Sequence, residues 1–245
     1  MTRLDAHLVA TGAARSRERA REAVAAGLVR VNGRVATKAS KTVRADDEVV
    51  CGGEAHDYVG RGALKLAAAL DAFGIDPGGH VCLDLGASTG GFTEVLLRRG
   101  AARVYAVDVG HGQLAGLVAG DPRTVNLERT HARDLDAGLV PEPIALLVCD
   151  VSFIGVTKAL PPAFALCAPG AAAVVLVKPQ FELGPERLGK GGIVRESEAA
   201  LADWLAAEIV PWFAGQGWAV SSTMPSPIRG GDGNTEFLLA ARLAG

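Results

Sequence analysis

Residues 81–93 read Val-Cys-Leu-Asp-Leu-Gly-Ala-Ser-Thr-Gly-Gly-Phe-Thr, a short apolar run that passes through a glycine-rich turn into a helical pattern. Glycines at such a turn let the backbone approach a ligand closely and place amide groups at the start of a helix. The spacing is not Gly-x-Gly-x-x-Gly, which disfavours a dinucleotide. Asp84 would repel a pyrophosphate and suits a cationic ligand group better. The stretch therefore predicts a strand, a ligand-binding turn and a helix.

Outward from this stretch, short apolar strands alternate with helices. We predict strands at 81–85, 104–109, 124–128, 144–149, 172–177, 218–223 and 236–242, and helices at 63–75, 92–98, 156–166 and 198–213. Such alternation is typical of a parallel sheet that is covered by helices on both faces. No helix separates the last two strands, so we expect them to form an antiparallel pair. The predicted fold is α/β, a Rossmann-like sheet of seven mostly parallel strands with an antiparallel edge strand.

A second carboxylate favours a nucleoside cofactor. Asp108 ends the strand after Asp84, in Val-Tyr-Ala-Val-Asp, where an acid can accept hydrogen bonds from both ribose hydroxyls. Two acids and a glycine turn fit S-adenosylmethionine, which has a sulfonium, an ammonium and a ribose but no phosphate. For either motif alone, an ordinary turn with a strand-end Asp is the alternative.

Charge is distributed unevenly along the chain. The 245 residues are 49% hydrophobic and 21% charged, as in globular proteins, with a formal net charge of −2. Residues 1–44, however, hold ten Lys or Arg against three Asp or Glu. Four arginines surround the start of a helix predicted at 16–26, and Asn32-Gly33 marks a hairpin. A solvated helix face is the alternative, but this pattern favours contact with phosphates.

Residues 2–49 resemble an S4 RNA-binding domain through the arginine-rich helix, the Val-x-Val-Asn-Gly-x-Val hairpin and the closing Asp46-Asp47. The resemblance implies RNA binding, whereas the spacing alone indicates only a basic surface. We predict an S4-like domain at 1–50, a polar, glycine-rich linker at 51–60 and a second domain at 61–245. The predicted RNA-binding residues are Arg3, Arg15, Arg17, Arg19, Arg30, Arg34 and Lys190.

Cysteine usage and hydropathy predict the compartment. The four cysteines lie far apart, with no Cys-x-x-Cys pair and no metal-ligand spacing, so we expect a reducing environment and no metal. The N-terminus lacks a signal-peptide core, and the longest uncharged stretch, 159–177, is interrupted by Pro161-Pro162 and Pro169-Gly170. We therefore expect a cytoplasmic protein with no membrane partner.

The stretches at 84–94, Asp-Leu-Gly-Ala-Ser-Thr-Gly-Gly-Phe-Thr-Glu, and at 105–114, Tyr-Ala-Val-Asp-Val-Gly-His-Gly-Gln-Leu, resemble those of FtsJ-like (RrmJ-type) methyltransferases. The order of S4 domain, linker and methyltransferase resembles the TlyA group over essentially the whole chain. One departure is His131, where the family pattern has Asn, and it affects the adenine-side contact placed near Asp134. The cofactor residues that the resemblance implies are Asp84, Gly86, Ser88, Thr89, Gly90, Gly91, Phe92, Asp108, Val109, Asp134 and Asp150.

Four charged residues stand in distinctive contexts: Lys65, Asp150, Lys178 and Glu236. Asp150 and Lys178 directly follow apolar strands, at the sheet edge where α/β proteins bind ligands. Each alone could equally form a structural salt bridge. Together they resemble the Lys-Asp-Lys-Glu tetrad of ribose 2′-O-methyltransferases, which implies that they are catalytic. The implied reaction is in-line attack of a ribose 2′-hydroxyl on a methyl group, in which Lys178 accepts the hydroxyl proton or orients it.

Other methyltransferase subclasses fit less well. An enzyme that acts on exocyclic amines would carry Asn/Asp-Pro-Pro-Tyr/Phe, where this chain has Asp-Val-Ser-Phe at 150–153. A cytosine C5 enzyme needs a cysteine nucleophile, and strand alternation points Cys149 away from Asp150. Oxygen is therefore the expected acceptor. The glycine-rich loop at 184–195 carries three basic residues, and it either closes over RNA beside Lys178 or is a plain surface loop.

The TlyA resemblance implies ribosomal RNA, within ribosomal subunits, as the substrate, and cytidine as the nucleoside. Because this group is also called haemolysin-like, a membrane-active protein is one alternative, which predicts an amphipathic or spanning segment. A catalytically idle RNA-binding assembly factor is another, which predicts loss of the tetrad, yet all four positions are filled. The sequence leaves open the target nucleotide, the oligomeric state and whether Lys178 is a base or a charged positioning group.

Overall fold

The computed structural model describes residues 1–53 and 56–245, which form two compact units, Met1–Asp57 and Tyr58–Gly245. The boundary between the units falls within the predicted linker, of which residues 54 and 55 lie outside the described residues. The elements of the first unit are β1 (Thr2–Arg3), α1 (Leu4–Ala10), α2 (Arg17–Ala25), β2 (Val29–Val31), β3 (Arg34–Val35), β4 (Thr42–Val43) and β5 (Val49–Cys51).

Local sequence signals account for the first unit. Ser16 caps α2, because its side chain accepts a hydrogen bond from the backbone amide of Arg19 at 3.2 Å. Asn32 and Gly33 have φ values of +51° and +74°, the left-handed conformation that a tight turn between β2 and β3 needs. Apolar side chains of both helices and of β2 and β4 pack into one small core. The helix predicted at 16–26 and the hairpin predicted at Asn32-Gly33 are confirmed.

The second unit contains the alternating elements predicted from the sequence and two short helices, α5 and α7, that were not predicted. The elements are α3 (Gly62–Phe73), β6 (Val81–Leu85), α4 (Gly91–Arg98), β7 (Arg103–Asp108), α5 (Gly116–Ala119), β8 (Thr124–Glu128), β9 (Ile144–Cys149), α6 (Val156–Phe164), β10 (Cys167–Val177), α7 (Pro179–Glu182), α8 (Glu198–Trp204), α9 (Val210–Gly215), β11 (Trp218–Pro225) and β12 (Phe237–Leu243). A π-helical turn, Leu205–Ile209, joins α8 to α9.

Seven strands form one sheet in the order β11-β12-β10-β9-β6-β7-β8. The strands from β10 to β8 run parallel, and β12 runs antiparallel to both of its neighbours. The mostly parallel sheet and the antiparallel pair at its edge are confirmed. The reversed strand is the inner member of that pair, since β11 returns to the common direction.

Both faces of the sheet are covered by helices. Successive strand residues point to opposite faces, so Cys82 and Leu83 belong to different apolar clusters. On one face Leu66 of α3 joins the cluster, and on the other Leu160 of α6 and Phe213 of α9 do so. With both faces buried, the strand ends are where polar side chains can reach a ligand.

The long uncharged stretch folds into a helix and a strand. Pro161 and Pro162 lie within α6, and Gly170 has a φ of +78° at an irregularity near the start of β10. No helix within residues 1–53 and 56–245 has both the length and the apolar character needed to cross a bilayer.

Candidate active site

A cleft of about 600 Å³ opens at the edge of the sheet where the parallel strands end. Its wall consists of the last residues of β6 and β7 and of the loops that follow β6, β7, β8 and β9. The carboxyl ends of parallel strands meet at one edge, so residues far apart in sequence converge there. The volume lies in the range of small-molecule sites.

Five predicted cofactor residues line this cleft: Gly86, Ser88, Asp108, Val109 and Asp150. The Asp108 carboxylate accepts backbone hydrogen bonds at both oxygens, from the amide of Ser88 at 2.8 Å and from that of residue 110 at 2.7 Å. These amides fix the carboxylate and leave lone pairs free for ligand hydroxyls. Gly86 has a φ of +90°, and an added Cβ would lie 2.6 Å from the Asp150 carbonyl oxygen, so only glycine fits there.

Six predicted cofactor residues do not line the cleft, and their contact with a cofactor stays a prediction. They are Asp84, Thr89, Gly90, Gly91, Phe92 and Asp134. Asp84 is completely buried in β6, where it accepts a hydrogen bond from Thr93 Oγ1 at 2.6 Å. Burial raises the pKa of Asp84 to about 7, although the hydrogen bond from Thr93 acts in the opposite direction. Phe92 packs into the apolar cluster beside α3, and Asp134 lies on the exposed surface.

Part of the cleft wall was missed by the sequence reasoning. The missed residues include Gln113 after β7, Thr130 after β8, and Ser152, Phe153 and Ile154 after β9, whereas His131, which the sequence singled out only as a departure from the family pattern, also lines the cleft. Each follows a parallel strand, so the strand-end rule could have found them. His131 Nδ1 accepts a hydrogen bond from the backbone amide of Arg133 at 3.1 Å, so in the neutral ring Nε2 carries the proton. The residue that departs from the family pattern therefore presents a donor in the cleft wall.

Lys178 lies at the border of the cleft, directly after β10. Only 8% of the residue is exposed, and its Nζ is 2.6 Å from Asp150 Oδ1. The same Nζ donates a hydrogen bond to Ser152 Oγ at 2.8 Å. Because Asp150 and Ser152 both line the cleft, they hold the lysine nitrogen next to it.

Glu236 reaches the same edge for a topological reason. It immediately precedes β12, and because β12 is antiparallel to β10, the register pairs Phe237 with Val177, the last residue of β10. Glu236 Oε2 lies 2.6 Å from Nζ of Lys65, which projects from α3. Both side chains are buried, and in such a setting each charge depends on its partner.

The start of α3 connects the two ion pairs. A Cβ added to Gly62 would lie 3.5 Å from Asp150 Oδ2, so α3 begins against the carboxylate that holds Lys178. Lys65 follows three residues later on the same helix. The structure thus brings Lys65, Asp150, Lys178 and Glu236 to one end of the sheet.

Phe153 is the most exposed large apolar side chain of the described chain, with 92% of its surface accessible. Its φ of +65° is strained for a residue other than glycine, and its ring centroid lies 5.3 Å from that of Phe181. Strained, exposed aromatic side chains beside a cleft are typical of ligand contact. Phe153 gives the site a flat apolar surface one residue from Ser152.

Cysteine chemistry does not fit this site. Cys149 is completely buried at the end of β9, and burial raises the pKa of its thiol to about 12. Since the thiolate is the nucleophilic form of cysteine, Cys149 lacks both ionisation and access. Within the part of the chain that the structure describes, no group of three His, Cys, Asp or Glu side chains is arranged to hold a metal ion.

In the first unit, arginines surround one buried carboxylate. Asp5 is completely buried, and Arg3, Arg17 and Arg21 place guanidinium nitrogens 3.0, 3.0 and 3.7 Å from its Oδ2. Hydrogen bonding from Arg3, and then from Arg17, holds the pKa of Asp5 well below its usual range. The three arginine side chains remain at least half exposed, so the cluster presents positive charge to solvent.

Arg19 is corrected as a member of the predicted RNA-binding surface. Only 6% of it is exposed, because it lies on the face of α2 that carries the buried Ala20 and Ala23. Its guanidinium donates to Glu22 at 3.3 Å and contacts the ring of His56 at 2.8 Å. The other predicted arginines of this unit, Arg3, Arg15, Arg17, Arg30 and Arg34, are exposed.

Comparison with known proteins identifies relatives of both units. The family of FtsJ-like methyltransferases matches residues 58–243, and the S4 domain matches residues 2–49. The 16S/23S rRNA (cytidine-2′-O)-methyltransferase TlyA of Mycobacterium tuberculosis is 44% identical over 241 residues, which cover 98% of this chain and 89% of that protein. Hemolysin A of Brachyspira hyodysenteriae is 39% identical, with 96% and 98% covered. A solved structure from Streptococcus thermophilus, provisionally described as a hemolysin, is 37% identical with a TM-score of 0.75, covering 99% of this chain and 88% of that one.

Proposed function

The chain belongs to the family of FtsJ-like methyltransferases and carries an N-terminal S4 domain, and we propose that it transfers a methyl group from S-adenosylmethionine to a ribose 2′-hydroxyl of ribosomal RNA. The relative from M. tuberculosis is named as an rRNA (cytidine-2′-O)-methyltransferase. The observation that supports the proposal most directly is the position of Lys178, which is paired with Asp150 at the border of the cleft.

The chemistry of the cleft wall fits S-adenosylmethionine. Asp108 would accept hydrogen bonds from the ribose hydroxyls, and Gly86 and Ser88 would let the backbone pass close to the ligand. Val109, which is 67% exposed, offers an apolar surface for the adenine, and His131 offers a donor beside it. When bound, the cofactor supplies a methyl group on a sulfonium.

Lys178 acts on the acceptor hydroxyl in this proposal. Its Nζ already has Asp150 and Ser152 as partners, and a third hydrogen bond remains available to the group. It orients the 2′-hydroxyl and either receives its proton or holds its oxygen as a charged donor, and the pH profile of kcat distinguishes the two. Positioned proton transfer of this kind contributes about 10²–10⁴-fold in rate.

The other members of the tetrad, Asp150, Lys65 and Glu236, position charged groups around Lys178. Asp150 holds the ammonium or amine of Lys178 at the cleft, and the mutual pairing of Lys65 and Glu236 fixes a second charged pair at the same edge. Charges that are oriented before substrate binds need no reorganisation during the reaction.

The substrate is proposed to be a cytidine of ribosomal RNA, as the names of the TlyA relatives support. Sequence-specific RNA enzymes stack unpaired bases on aromatic rings, and Phe153 offers such a ring beside Ser152. The exposed arginines of the S4 unit would contact the phosphate backbone. An enzyme with a ribosomal substrate works in the cytoplasm.

Transfer of a labelled methyl group tests the proposal. Purified protein is incubated with methyl-labelled S-adenosylmethionine and either unmodified ribosomal subunits or naked ribosomal RNA. We expect label in RNA that survives alkaline hydrolysis as a dinucleotide, because a 2′-O-methyl group blocks cleavage of the adjacent phosphodiester. Cofactor binding without transfer to either substrate would favour the catalytically idle alternative, and absence of cofactor binding would overturn the proposal.

Salt dependence tests the RNA surface of the S4 unit. Replacement of Arg15, Arg17 and Arg34 by Gln should weaken RNA binding and reduce the slope of log affinity against log salt by about one for each phosphate that the variant no longer neutralises. Arg103→Gln is the matched control, because Arg103 begins β7 at the opposite end of the strand from the cleft. Unchanged affinity and slope in the triple variant would remove this surface from the proposal.

A further inference from the structure

A buried amide lies near the tetrad without a role in the proposed chemistry. Asn234 is 2% exposed and stands two residues before Glu236. Its Oδ1 accepts a hydrogen bond from the backbone amide of Val194 at 2.9 Å, and its Nδ2 donates to the carbonyl of Gly192 at 3.0 Å and to Asp232 Oδ2 at 2.9 Å. Both ends of the side chain are therefore engaged, which fixes its orientation.

One partner of Asn234 is the glycine-rich loop at 188–194. This loop closes on itself through a hydrogen bond of 2.7 Å from the amide of Gly189 to the carbonyl of Ile193, and it carries the exposed Lys190. Gly191 and Gly192 have φ values of +77° and +75°. Because glycines in this region give the loop large backbone freedom, the hydrogen bonds from the Asn234 side chain restrict its position.

Another partner is the turn at 230–234. The Asn234 carbonyl accepts a hydrogen bond from the amide of Gly230 at 3.0 Å, and a Cβ added to Gly230 would lie 2.8 Å from Glu236 Oε1. The turn therefore lies directly against the carboxylate that pairs with Lys65. A change in the shape of the turn would move that carboxylate.

Asp232 extends the network toward Lys178. Its Oδ2 accepts hydrogen bonds from Asn234 and also from Gln180 Nε2 at 3.2 Å. Gln180 is 8% exposed and lies two residues after Lys178, at the start of α7. The hydrogen bonds of Asn234 and Asp232 thus join three segments, which carry Lys178, Lys190 and Glu236.

We propose that Asn234 is a positioning residue that holds the loop at 188–194 and the Glu236 carboxylate in fixed relation for the RNA acceptor. This inference rests on the proposed transfer of a methyl group to ribosomal RNA. None of Gln180, Asp232 and Asn234 lines the cofactor cleft. Loss of the junction therefore affects use of RNA and leaves binding of S-adenosylmethionine unchanged.

Asn234→Ala is the first test. Initial rates of methyl transfer are measured against the concentration of ribosomal subunits, together with the Kd for S-adenosylmethionine and the melting temperature of the full chain. We expect kcat/KM for the subunits to fall about tenfold or more, the size of effect that follows when buried hydrogen bonds are removed, and the cofactor Kd to stay within about twofold. Asn126→Ala is the matched control, since Asn126 is exposed on β8 and forms its side-chain hydrogen bonds with Glu128.

An exchange of side chains separates positioning from general loss of structure. Asn234→Asp places a carboxylate oxygen where Nδ2 now donates to Asp232, so the two acids repel each other. Adding Asp232→Asn restores a donor between the two positions, with its direction reversed. Because the new amide nitrogen replaces the oxygen to which Gln180 Nε2 now donates, the Gln180 amide must rotate so that its Oε1 accepts from that nitrogen. We expect Asn234→Asp alone to be as impaired as Asn234→Ala, and the double variant to recover part of kcat/KM. Such recovery would show that residues 232 and 234 are energetically coupled, because two independent defects would add and not compensate.

The outcomes separate this inference from the proposed function. Transfer by the wild type with full kcat/KM in Asn234→Ala overturns the inference alone. An equal loss of cofactor affinity and RNA turnover, with no recovery in the double variant, also overturns it, because the role would then be structural. No transfer by the wild type to subunits or RNA overturns the proposed function, and the inference with it.

Discussion

At the edge of the sheet, the cofactor half comprises the cleft wall around Asp108, and the acceptor half comprises Lys65, Asp150, Lys178 and Glu236. The two halves hold their charged groups in different ways. In the cofactor half, Asp108 is fixed by backbone amides of nearby loops. In the acceptor half, Lys178 and Lys65 are held by carboxylates from other elements, and Lys65 lies 171 positions from its partner. The first arrangement depends on a local turn and the second on tertiary packing. Substitutions should therefore weaken ligand affinity in the first half, and turnover and stability in the second.

The largest expected effect is that of Lys178→Ala. If the acceptor half supplies the proton transfer, kcat falls by about 10²–10⁴-fold while the Kd for S-adenosylmethionine is unchanged. Single-turnover transfer and calorimetric titration of the cofactor measure the two quantities. Lys158→Ala, on the exposed side of α6, is the control and should leave both unchanged. Near-normal turnover in Lys178→Ala would sink the assigned role.

Lys65→Met tests how far the acceptor half depends on buried pairing. Glu236 would remain buried without its partner, and we expect the free energy of unfolding to fall by about 3–5 kcal/mol. Lys65→Met combined with Glu236→Leu should recover much of this stability, because no unpaired charge is left, yet remain inactive. Urea denaturation of the wild type, Lys65→Met, Glu236→Leu and the double variant measures the four free energies of unfolding. If Lys65→Met alone is as stable as the wild type, the charge of Lys65 does not stabilise the buried carboxylate of Glu236.

Asp108→Ala tests the cofactor half. We expect the Kd for S-adenosylmethionine to rise about 10- to 100-fold, the loss of charge-assisted hydrogen bonds to a ligand, while kcat at saturating cofactor changes little. Asp134→Ala is the informative control, since the structure places Asp134 outside the cleft and its substitution should leave the Kd unchanged. A large effect of Asp134→Ala would instead support the predicted contact of Asp134 with the cofactor.

The last prediction concerns Asp84, whose effect on stability is spread over several pH units. Its pKa is about 7 in the fold against an ordinary value of 3.8, so between pH 4 and 7 the native state holds a proton that the unfolded chain lacks. The stabilisation is complete below pH 4 and is lost as the pH rises through 7, with a slope of at most about 1.4 kcal/mol per pH unit. Relative to Asp84→Asn, the wild type should become less stable across this window in urea denaturation at pH 5, 6 and 7. Parallel curves for the two proteins would show that Asp84 does not titrate there.

The comparison also shows which predictions the sequence could support. Asp84 and Asp108 look alike as acids that end apolar strands, yet one is buried against Thr93 and the other lines the cleft. Arg19 shares its spacing with neighbouring arginines, but the rotation of α2 buries it. The strand-end rule could have placed Phe153 at the cleft, but its exposure arises from a strained loop conformation that the sequence does not reveal. The predicted domain limits at 50 and 60 and the catalytic roles of the tetrad stay predictions.

Periodicity, strand-end signals and the local excess of arginines were enough to predict from the sequence the alternating fold and the basic N-terminal unit, because these depend on contacts between residues close in the chain. Only the tertiary structure decided which acids face the cleft and how the acceptor half is assembled. Glu236 forms an ion pair with Lys65 because β12 runs antiparallel to β10. Asn234 forms a hydrogen bond with a loop forty residues earlier in the chain. Such contacts follow from strand order and burial, and these are properties of the packed sheet rather than of any local segment.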